Sequence, residues 1–255
     1  MPEIDLNCDM GEGFGAWTIG NDAELLRSVT SANIACGFHA GDACIMRQTV
    51  QMARAAGVAI GAHPGLHDLQ GFGRRVVQIT PAEAYAETLY QIGALQAIAL
   101  AEGAQVTHVK PHGALYNMAS ADDALAEAIA AATLAADPHL QLFGLSGSAL
   151  MRAGVRAGLH TVSEIFADRT YQPDGSLTPR SRPDAQHHVS ALAVQQVLAG
   201  VQERAVPAVD GSRVPVQADT VCVHGDGAHA AVFARALRTA LHDAGVLVRA
   251  VPRRA

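Results

Sequence analysis

Apolar and polar positions along the chain fall into two alternating rhythms. Short β-type apolar runs recur between longer Ala-rich stretches in which apolar positions return with helical spacing. The short runs predict strands at about 4–8, 33–36, 58–62, 105–109, 140–145, 161–166, 220–223 and 246–251. The long ones predict helices at about 21–31, 42–56, 81–102, 121–136, 147–157, 186–204 and 227–244. Punctuation agrees: Thr80-Pro81 with Glu83 opens the third helix, Gly57 and Gly103 follow helix ends, and Asp137-Pro138 stops the fourth. About eight βα units predict an α/β fold with a parallel sheet, doubly wound or closed into a barrel. No internal repeat or low-complexity segment interrupts them. The one long irregular section, "ADRTYQPDGSLTPRSRPDA" at 167–185, has the length of a lid or a wall of a site.

Composition narrows the class. With 255 residues, 49% hydrophobic and 16% charged, the chain is expected to form one domain over 1–255 with a large core. A net charge of -6, with Lys and Arg scattered, argues against nucleic acid and acidic membranes as partners. No basic segment followed by an apolar one opens the sequence, and no apolar run approaches the ~18 residues of a membrane span, so a cytoplasmic protein is expected. Cys8, Cys36, Cys44 and Cys222 lack zinc-ribbon spacing and are too few to staple the chain. Reduced thiols are expected, with Cys8, Cys36 and Cys222 acting as small buried hydrophobes.

Ionisable residues gather at the C-terminal ends of the predicted strands. Strand one runs into Asn7, Asp9 and Glu12; strand two into His39 and Asp42; strand three into His63; strand four into His108, Lys110 and His112. Strand six leads to Glu164, Asp168 and Arg169, and strand seven to His224 and Asp226. In parallel α/β folds these ends share one rim, which is therefore the expected active site. The turns "DMGEGFG", "CGFHAGD", "GAHPG", "KPHGALYN" and "HGDG" each place Gly beside an ionisable group, where a tight turn or close backbone approach is needed. His108, one position inside its strand, reads as a satisfied structural histidine. Asp42 suits a helix N-cap and can also serve the rim. His160, His187, His188, His229 and His242 read as solvated.

Two chemistries stay open on spacing alone. Asp9 with His39 and His63 could hold a divalent metal that activates water, as in barrel deacetylases. Alternatively, carboxylates act as acid and base while Lys110 and Arg169 hold an anionic substrate. No H-E-x-x-H helix and no G-x-x-x-x-G-K-[ST] or G-x-G-x-x-G after a strand is present, and "GLSGSAL" lacks the last Gly of G-x-S-x-G.

The blocks "DLNCDMGEGFG", "TSANIACGFHAGD", "GAHPGLHDLQGFGRR", "QIGALQA", "VKPHGALYN", "EIFADRTYQPDGSLTPRS" and "VCVHGDG" resemble the LamB/YcsF family over nearly the whole chain. The resemblance implies a distorted (β/α) barrel of about 7–8 parallel strands, related to glycoside hydrolases and deacetylases. It also implies hydrolytic ring opening of 5-oxo-L-proline to L-glutamate, coupled to ATP as cosubstrate and shared with 5-oxoprolinase subunits B and C. On that reading Asp9, His39, Asp42, His63, Lys110 and His112 are the catalytic candidates. Asn7, Glu12, Glu164, Asp168, Arg169, His224 and Asp226 are the substrate-binding ones. The absent phosphate loop assigns ATP largely to the partners, or to a site on this chain of another kind, and homo-oligomerisation stays open. Ala43, His67 and Gly227-Ala228 depart from the family pattern at turns and leave the ionisable groups in place.

Overall fold

The computed structural model describes residues 2–187, 189–223, 225 and 230–253. Seven parallel strands close into a barrel: β1 (Glu3–Met10), β2 (Ser31–Ala35), β3 (Ala59–His63), β4 (Val106–Val109), β5 (Gln141–Leu145), β6 (His160–Phe166) and β9 (Thr220–Val223). Closure is made by β9 pairing back onto β1, with Asp5 opposite Thr220 and Cys8 opposite Val223. A short strand, β10 (Leu247–Val248), extends the sheet beside the start of β1. Around the barrel lie α1 (Asp22–Leu25), α2 (Ala43–Ala56), α3 (Pro81–Ala101), α4 (Gly113–Ala121), α5 (Asp123–Ala136), α6 (Ala149–Arg156), α7 (Ser190–Gln202) and α8 (Ala230–Asp243). No helix among the described residues is long and apolar enough to cross a membrane.

All eight expected strands are present, and the parallel barrel is the closed alternative of the two that the pattern allowed. The expected helix at 21–31 shrinks to the four residues of α1, capped by Asn21, before the chain turns into β2. Two elements are additional. Helix α4 opens directly behind Pro111-His112, and an antiparallel hairpin pairs β7 (Ala205–Pro207) with β8 (Arg213–Pro215).

The period-two alternation of β1 explains how the barrel is filled. Ile4, Leu6, Cys8 and Met10 face outward into the hydrophobic layer beneath the helices. Asp5, Asn7 and Asp9 face inward, where they meet side chains from several other strands at once. Hydrophobic stabilisation therefore comes from the layer between strands and helices, at about 1.5–3 kcal/mol for each fully buried Leu or Ile. The barrel interior is instead a polar network, stable because its buried groups are hydrogen-bonded. At its base the Asp5 carboxylate accepts from Thr30, Ser31 and Thr220 hydroxyls at 2.6, 2.7 and 2.5 Å.

Candidate active site at the rim of the barrel

Lys110 is the centre of the polar interior. Just past the end of β4 and 2% exposed, its side chain reaches between Asp9 (3.2 Å) and Glu164 (2.9 Å), donating also to Asn7 Oδ1 and Cys222 Sγ, both at 3.0 Å. Burial opposes its charge, but Asp9, Cys222 and Glu164 together raise its pKa well above the ordinary lysine value. Asn7 donates to Glu164 and Thr220, Asn33 donates to both Asn7 and Asp9, and the Tyr116 hydroxyl donates to Glu164 at 2.7 Å. Asn7, Lys110 and Glu164 thus form a saturated floor under the rim, where an open substrate clamp was expected. Cys222 accepts from Lys110 and so does more than fill apolar space. His108 keeps its structural role, donating from Nε2 to Asn33 Oδ1 at 2.9 Å.

Above this floor lies a cluster of Glu12, His39, His63 and His112, all buried, with one ligand atom each within 4.8 Å of the others. Gly11, at φ +68, turns the chain after β1 and brings Glu12 back over the rim. Glu12 Oε1 lies 3.4 Å from His39 Nε2 and 3.6 Å from His112 Nδ1. The rings of His39 and His112 stack with centroids 3.7 Å apart, which holds both imidazoles at fixed orientation.

Backbone carbonyls fix the protons of two of these rings. His63 Nδ1 is 2.7 Å from the Lys110 carbonyl, and His112 Nε2 is 2.9 Å from the Phe72 carbonyl. A carbonyl only accepts, so both of those nitrogens carry hydrogen. In the neutral rings the other two nitrogens, His63 Nε2 and His112 Nδ1, then present lone pairs to each other at 2.9 Å. That contact becomes favourable when a proton or a metal ion lies between them. Phe72 sits at φ 55, an uncommon backbone conformation for a bulky residue, to aim its carbonyl at His112.

The donor set fits a divalent metal ion. Neither ring nitrogen of His39 makes a hydrogen bond although the residue is completely buried, and an ion beside it would account for that. The outward N–H groups of His63 and His112 bind carbonyls as metal-ligating imidazoles usually do. Burial, followed by the neighbouring histidines, pulls the pKa values of His39 and His112 well below the ordinary range, so both are neutral and able to ligate. The residues fitting the ion are Glu12, His39, His63 and His112. Asp9, the expected ligand, stands beside the set with Oδ2 3.3 Å from His63 Nε2.

Glycines make room for these rings. A Cβ on Gly65 would lie 2.5 Å from His39 Nδ1, and one on Gly73 would lie 2.6 Å from His39 Cβ. The buried Gln91 of α3 fastens the Gly65 turn by accepting from its N–H at 2.9 Å and donating to its carbonyl at 3.0 Å.

The remaining candidates separate. Asp42 is the N-cap of α2, accepting from the backbone N–H groups of Gly15, Cys44 and Ile45, so both carboxylate oxygens serve the loop and helix. Its catalytic assignment gives way to that cap. Arg169 and Asp168 begin the irregular segment after β6. Arg169 is buried there and donates to the carbonyls of Thr178 and Ala185, closing the segment on itself. His224 and Asp226 lie outside the described residues. Strand-end logic does not single out Arg74 and Arg180, which stand at the mouth with Arg169. A small pocket of about 40 Å³, lined by Asp9, His63, Lys110 and His112, connects the cluster to that mouth.

Fold and site together define a (β/α)-barrel protein with a buried carboxylate–histidine centre at the C-terminal rim. The chain belongs to the LamB/YcsF family, whose model matches residues 4–255. It is 58% identical over 250 residues to a curated relative from Brevibacillus brevis, named as the A subunit of 5-oxoprolinase, covering 98% of each chain. Among solved structures it resembles the lactam utilization protein of Thermus thermophilus, with a TM-score of 0.92 and 48% identity over 98% of this chain and all of that one. A polysaccharide deacetylase from Bacillus cereus shares the fold alone, with a TM-score of 0.50 and 15% identity over 99% of this chain and 93% of that one.

Proposed function

We propose that the chain is the lactam-hydrolysing A subunit of an ATP-dependent 5-oxoprolinase, acting with subunits B and C to open 5-oxo-L-proline to L-glutamate. The observation that carries the reading is a buried carboxylate–histidine centre opening to a cationic mouth, in a chain whose full-length relative at 58% identity carries that name. Glu12, His39, His63 and His112 would hold a divalent cation. Such an ion supplies Lewis acidity and lowers the pKa of water.

The chain's own residues do the rest. Asp9 lines the inner pocket, with Oδ1 held by Asn33 and Lys110 and Oδ2 directed toward His63. It takes a proton from the attacking water and returns it to the ring nitrogen as the C–N bond breaks. Lys110 holds Asp9 in place through the 3.2 Å contact to its Oδ1. ATP is consumed by the partner subunits, consistent with the missing phosphate loop.

The test is reconstitution with purified B and C, following glutamate and ADP with each component omitted in turn. Glutamate is expected only from the full mixture, and Asp9→Asn should lower its rate by about 10²–10⁴-fold, the usual contribution of a general base. Activity of this chain alone on acetylated substrates would overturn the reading. Elemental analysis of the purified chain gives an independent readout: bound divalent metal is expected, and His63→Ala with His112→Ala should abolish it.

A further inference from the structure

The mouth outside the inner pocket is a cavity of about 720 Å³ between α4, the start of α6 and the segment after β6. Three guanidinium groups line it, Arg74, Arg169 and Arg180, and all three also border the inner pocket over the histidine cluster. The walls add hydroxyls from Ser120, Ser146, Ser148 and Ser181, and the Asn117 amide. Among the described lining residues Asp174 is the carboxylate, and it already accepts from the Ser176 N–H and hydroxyl.

The arginines are held close although like charges repel. Arg169 is buried, and its hydrogen-bond acceptors among the described residues are backbone carbonyls. Burial, then Arg180, and more weakly Arg74 pull its pKa down to about 10 against the opposing effect of Asp168. Arg74 lies over the Phe72 ring, 4.9 Å from its centroid, and that ring is edge-on to His39 and His112. The cationic wall is therefore tied mechanically to the histidine cluster.

We propose that the cavity framed by Arg74, Arg169 and Arg180 binds a phosphoryl dianion, carried into the site on the lactam substrate. The second half rests on the hydrolase reading above. Three forked donors exceed what a single carboxylate needs, and guanidinium matches phosphoryl oxygens in bidentate geometry. The described lining residues include no aromatic side chain to stack a nucleobase, which favours a small phosphorylated molecule over a nucleotide. Such a ligand fills the outer cavity with its phosphoryl and carboxylate groups and presents its ring carbon to the water beside Asp9. Addition of that water and cleavage of the C–N bond leave an acyl phosphate, and a second water breaks its acyl C–O bond to release the carboxylate product and inorganic phosphate. Phosphate itself and the phosphoryl-bearing substrate share this chemistry, and they are told apart by the arms below.

The full chain is titrated calorimetrically with inorganic phosphate, with acetyl phosphate as a small acyl phosphate, with ATP and with 5-oxo-L-proline. Phosphate and acetyl phosphate are expected to bind, acetyl phosphate more tightly, and Arg74→Gln and Arg180→Gln should each weaken both at least tenfold. Arg180 is exposed, so Arg180→Gln tests the site without disturbing the core. Absence of phosphate binding, or equal binding by both variants, overturns the site. Phosphate binding as tight as that of acetyl phosphate, or ATP binding far tighter than either, overturns its assignment to a phosphorylated lactam. Reconstitution of the wild-type chain with B and C is run in parallel: glutamate formation without phosphate binding removes this site and leaves the hydrolase reading, whereas phosphate binding without glutamate formation does the reverse.

Discussion

Lys110 shows how much one side chain can organise. Its ammonium group neutralises Asp9 and Glu164 inside the barrel, so Lys110→Met would leave two buried carboxylates without their cation. Breaking such a buried pair costs about 3–5 kcal/mol, which should appear as a lower urea midpoint even when no substrate is present. Gly65→Ala acts differently. The added methyl group meets His39 at 2.5 Å, so His39 must move, and the variant should lose bound metal while its unfolding midpoint changes less than that of Lys110→Met. At this scale the sequence is legible through its strand ends, which point to Asp9, His39, His63 and His112. The same pattern reaches Glu12 through the "DMGEGFG" turn but as a substrate contact; its place among the fitting ligands depends on how Gly11, at φ +68, folds it back over the histidines. The H-x-x-x-H spacings at His63–His67 and His108–His112 are present, yet in each only one histidine reaches the cluster.

Among the elements, the segment between β6 and α7 governs access to the cavity. Arg169 binds the carbonyls of Thr178 and Ala185, and the Tyr171 hydroxyl accepts from the Phe166 N–H at 2.8 Å. Arg169→Gln should loosen this segment, giving faster amide exchange between residues 168 and 187 with little change in the barrel strands. Pattern reading located the segment by its Pro, Gly and charge content, and found the strands because each apolar run is bounded by turns. It passed over α4, which opens behind a Pro-His-Gly sequence that reads as loop. It also passed over the β7–β8 hairpin, although Asp210-Gly211 between two Val-rich runs is a hairpin signal. Prolines in both strands conceal it, which is tolerable in a two-stranded edge element.

For the whole molecule, burial of neutral imidazole sets the acid limit. His108 is held at a pKa of about 3 by burial, then by Lys110 and His63, against 6.5 in the unfolded chain. Below pH 6.5 the unfolded chain binds a proton that the folded one refuses, so the stability from neutral His108 is present above that pH and declines toward pH 3. The denaturation midpoint of the metal-free protein should fall across this window, and His108→Asn should flatten the fall. The closure of the barrel adds a consequence for biosynthesis. Since β1 pairs with β9, the edge bearing Asp5, Asn7 and Asp9 gains its last neighbour only when residues 220–223 have left the ribosome. A nascent chain halted before that point carries an open, polar strand edge and a half-built charge network. The centre that joins Asp9 to Lys110 is thereby completed only in chains translated past residue 223.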